Sequence, residues 1–232
     1  MLFPWVGMLE QLRLADVYVR YDDVQFSKGS FVNRVQIKAP EGVKWMTVPL
    51  PRLRLGQRIE EVGIDSGPAW RQQHMQLLQR SLAGAPHEAD ALDLVRDVYA
   101  VPCTTVADLA HASLMALVAY FGLNAGTRFC DVRDLGVAGA SSERVLDVVR
   151  AVGGTEYVTG HGASRYLDHT RFEQAGIGVH YMNYRKTPYP QLHGEFTPYV
   201  SALDLVANCG RDGGRFIASE TMDWREFSNE PT

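Results

Sequence analysis

The chain has 232 residues and a net charge of −4 at pH 7, with 46% hydrophobic and 22% charged residues. This composition is typical of a globular protein with a large core, and the charge excludes an overall basic field for nucleic acid or anionic membranes. Three scattered cysteines make neither a disulfide framework nor a zinc motif. No apolar run approaches the ~20 residues of a membrane helix, and the N-terminus lacks the layout of a secretory signal. We expect one cytoplasmic domain, residues 1–232.

The first half of the chain alternates between short strands and helices. Turn residues and apolar spacing predict a helix before a strand at 17–21. Two alternating segments around a Pro-Glu-Gly turn predict a β-hairpin, and the basic segment 51–65, either a lid or a solvated loop, is predicted to close in a short strand near 62–64. Apolar residues at helical spacing then predict a helical insert at about 68–122.

The second half has the order of a βαβ unit. Its predicted elements are a weak strand near 129–132, a helix at 141–152, strands at 155–159 and 178–184, a helix between those strands, and a helix at 202–208. Strand, helix and strand in this order predict an α/β fold with a Rossmann-like, mostly parallel sheet, to which the hairpin and the helical insert are added. Residues 211–232 are polar and are predicted to form a peripheral tail.

Polar residues crowd the end of the first strand. They are Asp22, Asp23, Gln25, Lys28, Asn33 and Arg34. Ligands of open α/β sheets bind at the carboxyl ends of strands, and charged groups are costly to bury unless they pair or meet a ligand. The alternative is a solvated turn with an Asp–Arg ion pair.

A glycine-rich loop follows the strand at 155–159. Its backbone N–H groups, starting at Gly160 and His161, could cradle an anion, and Arg165 would add positive charge. The equal alternative is a turn that caps a helix. Four histidines fall in the last third of the chain, but no pair has the helical i, i+4 spacing, so we predict no metal site. The residues identify no cofactor.

These segments together predict an enzyme site. The catalytic candidates are Asp22, Asp23, Gln25 and a polar tail residue, His193 or Asp204. An aspartate or His193 could act as the general base toward an amine or hydroxyl, and Arg34 and Arg165 could hold a phosphate or carboxylate.

The order of motifs resembles the WbqC-like protein family. The matching residues are Phe3-Pro4-Trp5-Val6-Gly7, Asp22-Asp23, Gln25-Phe26, Asn33-Arg34, Trp45, Thr47, Pro49, Trp70, His74, Tyr157, Gly160, Tyr166-Leu167-Asp168, Ser201, Asp204-Leu205, Asn208 and Gly210. The Gln-Pro-Asn element that opens the family pattern is not matched. The resemblance implies a place in O-antigen, other polysaccharide or natural-product biosynthesis, with a suggested glycyl or aminoacyl transferase role. It adds Tyr166, Ser201 and Asn208 to the substrate-binding candidates and supports Asp204.

The leading hypothesis is a transferase that moves an aminoacyl group to an amine of a sugar nucleotide or related metabolite. A layout similar to HIGH-type nucleotidyltransferases, without their signature histidines, keeps an ATP-dependent ligase or nucleotidyltransferase as the alternative. A non-catalytic small-molecule binding module is the third hypothesis. Each has a small-molecule partner and no membrane insertion.

Overall fold

The computed structural model describes residues 1–229 as a mixture of helices and short strands. The helices are α1 (Val6–Arg13), α2 (Ala69–Leu82), α3 (Glu88–Ala100), α4 (Val106–Phe121), α5 (Ser141–Ala151), α6 (His169–Gln174), α7 (Leu203–Cys209) and α8 (Trp224–Asn229). The strands are β1 (Val17–Arg20), β2 (Arg34–Ala39), β3 (Gly42–Thr47), β4 (Arg128–Asp131), β5 (Glu156–Thr159), β6 (Gly178–Asn183) and β7 (Glu220–Asp223). The predicted α/β class is therefore confirmed. Within residues 1–229, no helix has the length and apolar character needed to cross a membrane.

The chain divides into two compact units. The first, called here the helical unit, consists of Met1–Leu9, Asp22–Asn124 and Thr187–Ile217. The second, the sheet unit, consists of Glu10–Tyr21, Ala125–Lys186 and the chain from Ala218 onward.

The helical unit combines the predicted hairpin with the predicted helical insert. Strands β2 and β3 pair antiparallel, and the buried side of β2 packs against α2. Helix α4 begins where the Thr105 hydroxyl accepts a hydrogen bond from the Asp108 N–H at 3.2 Å. It ends at Gly122, which has the left-handed conformation that a glycine adopts without strain. Helix α7 is almost completely buried, so its polar residues face the interior.

The sheet unit contains all the parallel strand pairs of the described residues. Strand β1 pairs parallel with β4, while β5 pairs parallel with β6, whose other edge pairs antiparallel with β7. Phe172 and Tyr181 are fully buried at the centre of its core, where α5, α6 and β6 meet. Because these strands form two small sheets and the hairpin a third, a Rossmann-like arrangement is not confirmed.

Two expectations from the sequence are corrected. The predicted strand near 62–64 is reduced to an isolated bridge between Gly63 and Thr105, because its backbone bonds are shared with the start of α4. The tail predicted at 211–232 is not peripheral over residues 211–229, where β7 adds a strand beside β6 and α8 packs on both strands. Its aromatic residues Trp224 and Phe227 pack against the sheet-unit core. The prediction was wrong because it considered only the polar composition of the tail. Residues 230–232 of that tail lie outside the described residues.

Candidate functional site

The segment predicted to carry the site is one side of a short antiparallel ribbon. Its residues 22–26 lie beside residues 57–60, and backbone bonds join Phe26 N–H to the Gln57 carbonyl (2.8 Å), Ile59 N–H to the Val24 carbonyl (2.9 Å) and Glu60 N–H to the Asp22 carbonyl (3.0 Å). The first two bonds flank the bridged pair Gln25 and Arg58. Facing residues in this position have the closest side chains of an antiparallel pair. Gln25 and Arg58 are therefore neighbours on one face.

Carboxylates surround the Arg58 guanidinium. It contacts Glu61 at 3.0 Å and Glu60 at 3.1 Å. The hydrogen bond to Glu61 and the charges of Glu60, Glu61 and Asp23 raise the pKa of Arg58. Asp22 and Asp23 are half-buried. Residues 22–26 and 57–61, called here the acidic ribbon, therefore carry more carboxylates than cations.

A turn and the start of β2 place the next three candidates. Lys28 is exposed in the turn. Asn33 is buried, and its amide donates to the Val48 carbonyl at 3.0 Å while the Val48 N–H donates to the Asn33 carbonyl at 2.8 Å. Asn33 therefore fixes the open end of the hairpin. The Arg34 guanidinium lies 4.2 Å from the ring centroid of Trp45, across the hairpin.

A buried polar cluster holds Asp204. Lys38 and Asp204 are each 5% exposed, and the Lys38 Nζ donates to Gln191 Oε1 at 3.1 Å and to two backbone carbonyls of the following loop at 3.1 and 2.6 Å. Burial raises the pKa of Asp204 to about 6, against the opposing hydrogen bond from the Tyr189 hydroxyl and the nearby Lys38 charge. Lys38, Tyr189 and Gln191 were not predicted. The signal for them is the Asp204 carboxylate within an apolar helix, since a buried charge needs partners.

The other tail candidates use their side chains inside the helical unit. Their hydrogen bonds run from His193 Nε2 to the Ser81 carbonyl (2.7 Å), from the Ser201 hydroxyl to the Phe3 carbonyl (2.8 Å) and from the Asn208 amide to the Asp204 carbonyl (2.8 Å). Ser201 is fully buried. These bonds fix the N-terminal segment, the loop before α7 and the last turn of α7.

The glycine-rich loop belongs to the sheet unit. Gly160 directly follows β5, and residues His161–Arg165 form a 3₁₀ helix. The His161 ring donates from Nε2 to the Met182 carbonyl at 2.6 Å, while Arg165 and Tyr166 are exposed. A Cβ at Gly160 would lie 3.2 Å from the Tyr184 hydroxyl, so this position favours glycine. The loop thus offers a cation and an aromatic ring at the carboxyl end of a parallel strand.

The structure thus gathers Asp22, Asp23 and Gln25 on the acidic ribbon. Asp204 and His193 lie in a separate, buried cluster, where the His193 charge lowers the pKa of the Asp204 carboxyl against the larger effect of burial. Arg58, Glu60 and Glu61 are ribbon residues that were not predicted to belong to the site. The mixed charges of their segment are equally typical of a solvated loop.

A neutral histidine joins α2, α3 and β3. His74 donates from Nε2 to the Thr47 carbonyl at 3.0 Å, so its Nδ1 accepts from the Tyr99 hydroxyl at 2.7 Å. Burial lowers the pKa of His74 to about 4. A shallow groove of about 500 Å³ beside this pair is lined by Tyr99, Arg71 and Arg96. Across residues 1–229, no three or more His, Cys, Asp or Glu side chains are grouped so that they could hold a metal ion.

Comparison with known proteins extends the resemblance seen in the motifs. The WbqC-like protein family matches residues 1–216. An uncharacterized protein of Mycobacterium tuberculosis, Rv1507c, is 32% identical over 217 residues, which cover 92% of this chain and 93% of that protein. No solved structure matches the chain.

Proposed function

Because the chain belongs to the WbqC-like protein family, we propose that it is a transferase that moves a glycyl or other aminoacyl group onto an amine of a sugar nucleotide. The observation that carries this proposal is the acidic ribbon. Its backbone bonds hold two aspartates, a glutamine and an arginine in a fixed arrangement on the surface of the helical unit. Preorganised polar groups of this kind suit proton transfer and the stabilisation of developing charge.

An excess of carboxylates matches the charge of the acceptor. A primary amine is mostly protonated near neutral pH, and a negatively charged surface attracts the resulting ammonium ion. Asp22 and Asp23 therefore have two roles in the proposal, which are to bind the ammonium and to accept its proton. The Arg58 guanidinium interacts electrostatically with Asp23 and adds one positive charge to the ribbon.

The reaction then follows from the freed amine. Its nitrogen attacks the acyl carbonyl carbon and forms the new C–N bond, while the bond from that carbon to the donor's leaving oxygen or sulfur breaks. The leaving group takes the electron pair. One aspartate already carries the ammonium proton, so the second proton, which the nitrogen loses on attack, goes to the other aspartate. In the proposal, the Gln25 carboxamide donates a hydrogen bond to the carbonyl oxygen as negative charge develops there.

Cations near the ribbon in sequence are proposed to hold the anionic parts of the substrates. Lys28 and Arg34 supply an ammonium and a guanidinium, with Asn33 fixing the backbone that carries Arg34. In the sheet unit, the loop from Gly160 through His161 to Arg165 and Tyr166 is proposed as a second anion-binding element. The proposal does not rely on His193, Ser201, Asp204 or Asn208, whose side chains bond within the helical unit.

The test is a transfer assay read by mass spectrometry. Purified protein is incubated with amino-sugar nucleotides and with glycyl donors of three kinds: a thioester, glycyl-tRNA, and glycine with ATP. We expect the acceptor to gain one glycyl residue. Asp23→Asn and Asp22→Asn should lower turnover by about 100-fold or more, the usual range for a lost general base. The free energy of unfolding of both variants should stay within ~1 kcal/mol of the wild-type value, as is usual for surface changes.

A matched control separates charge from position. Asp147→Asn removes an exposed carboxylate that is paired with Arg150 at 3.5 Å in α5, and it should leave turnover unchanged. Full turnover in both ribbon variants would refute the proposal. Pyrophosphate release from ATP without glycyl transfer would instead identify the ligase or nucleotidyltransferase alternative.

A further inference from the structure

Two aromatic rings are exposed on the hairpin side of the helical unit. Phe31 is 42% exposed and Trp45 is 43% exposed, and their ring centroids lie 5.6 Å apart. The Arg34 guanidinium stacks on the Trp45 ring at 4.2 Å. Large aromatic side chains are normally buried, so an exposed pair beside a cation indicates a surface that binds a flat or apolar group.

The turn beside these rings carries two cationic side chains, Lys28 and Arg34. Arg34 is held in the turn because its Nη2 donates to the Gly29 carbonyl. Lys28 is exposed in the same turn. An ammonium and a guanidinium in one turn can pair with an anionic group from solution.

We propose that this surface binds the nucleotide part of the sugar-nucleotide acceptor. The base stacks on Trp45 and Phe31, and the diphosphate accepts hydrogen bonds from the Lys28 ammonium and the Arg34 guanidinium. This inference rests on the proposed transferase function for the identity of the complete substrate. A ring and an anionic group bound side by side are the two features that distinguish a nucleoside diphosphate from a free sugar or from inorganic phosphate.

The rings and the polar turn argue for this occupant together. A sugar alone would stack on the rings, but it would bring no anionic group to Lys28 and Arg34. Inorganic phosphate would pair with those cations and leave both rings exposed. A second copy of this chain could cover the rings, and this outcome is included in the test.

The experiment measures binding and needs no turnover. Wild-type protein is titrated with UDP, ADP and inorganic pyrophosphate by isothermal titration calorimetry. We expect UDP or ADP to bind at least about tenfold more tightly than pyrophosphate, as expected when a base stacks on an aromatic side chain. Trp45→Ala should weaken nucleotide binding by about tenfold or more and leave pyrophosphate binding unchanged. Trp45→Phe keeps a ring and should restore most of the affinity.

The control is Leu55→Ala, which removes the side chain of a residue that is 99% exposed and should leave binding unchanged. Equal affinities for the nucleotides and pyrophosphate would overturn the inference, as would nucleotide binding that survives Trp45→Ala. A change from dimer to monomer in Trp45→Ala without loss of nucleotide affinity would identify the surface as a self-association site and also overturn it. Melting curves establish that each variant is folded.

Failure of this inference is distinguishable from failure of the transferase proposal. Asp23→Asn should lose turnover and keep nucleotide affinity. Nucleotide binding that depends on Trp45, with no aminoacyl transfer from any donor, would support the surface and refute the transferase. Transfer that is lost in Asp23→Asn but unaffected by Trp45→Ala would support the transferase and refute the surface.

Discussion

Protonation of His74 should destabilise the protein as the pH falls. Its imidazole is neutral in the folded state, with Nε2–H donated to the Thr47 carbonyl and Nδ1 accepting from the Tyr99 hydroxyl. Burial lowers its pKa from 6.5 to about 4. The unfolded chain therefore binds the proton more tightly than the folded protein does. The stability that this difference confers is present above pH 6.5 and is lost as the pH falls toward 4.

The size of the effect follows from the two pKa values. With 6.5 in the unfolded state and about 4 in the folded state, the loss is about 2 kcal/mol at pH 5 and about 3 kcal/mol at pH 4. His74→Gln keeps a donor and an acceptor at the same position but does not titrate. Its free energy of unfolding should therefore fall less steeply than that of the wild type between pH 7 and pH 4. The difference between the two proteins should change by the amounts just given.

Urea unfolding followed by circular dichroism measures this difference at each pH. The other titrating groups are shared by the two proteins and cancel in the comparison, which makes the difference in slope specific to His74. Parallel curves for wild type and His74→Gln would show that the folded protein takes up the proton without cost. That result would refute the neutral tautomer and the hydrogen-bond chain that requires it.

Three further changes test the interior of the helical unit. Burial raises the pKa of Asp204 from 3.8 to about 6, so the folded protein binds this proton more tightly than the unfolded chain does. As the pH falls from 8 to 4, the wild type should therefore gain about 2 kcal/mol of stability relative to Asp204→Asn, measured by urea unfolding at each pH. Thr105→Ala removes the N-cap of α4 and should cost about 1 kcal/mol by thermal unfolding, whereas Thr104→Ala should cost little. Gly210→Ala should cost about 2 kcal/mol or more by urea unfolding, because φ is +58° and the new Cβ would lie 2.7 Å from the His87 ring. Adding His87→Ala should relieve the clash and restore part of the lost stability, while the backbone strain remains.

The elements that the sequence predicted well are determined by residues within those elements. Helix α4 has apolar residues at helical spacing between Thr105 at its start and Gly122 at its end, and the structure uses both. The hairpin was similarly predictable because both strands alternate and the turn contains glycine. The pairing of β1 with β4 was not predictable in the same way. These strands are separated by more than a hundred residues, and neither sequence contains information about its partner.

The acidic ribbon could be predicted only in part, because the pattern of one segment does not identify the segment that pairs with it. Asp22, Asp23 and Gln25 were singled out because charge follows a strand, which is a local property. Their partner segment, residues 57–60, has no alternation, and it enters the 3₁₀ helix Ile59–Glu61 directly after the bridge at Arg58. Because the ribbon is held by backbone N–H and carbonyl groups, which every sequence possesses, no side-chain pattern marks the pairing.

Asp23 and Asp204 were both predicted to be site residues, and they have different physical roles. Asp204 is 5% exposed and its neighbours belong to the chain itself, so changing it alters the balance of charge within the interior. Asp23 is half-buried on a ribbon with an excess of carboxylates, where a cation from solution can replace water at lower cost. We expect Asp204→Asn to change the pH dependence of unfolding, and Asp23→Asn to change turnover with little effect on unfolding. Loss of turnover in Asp204→Asn, with unfolding unchanged at every pH, would place the buried cluster in the reaction and move the site away from the ribbon.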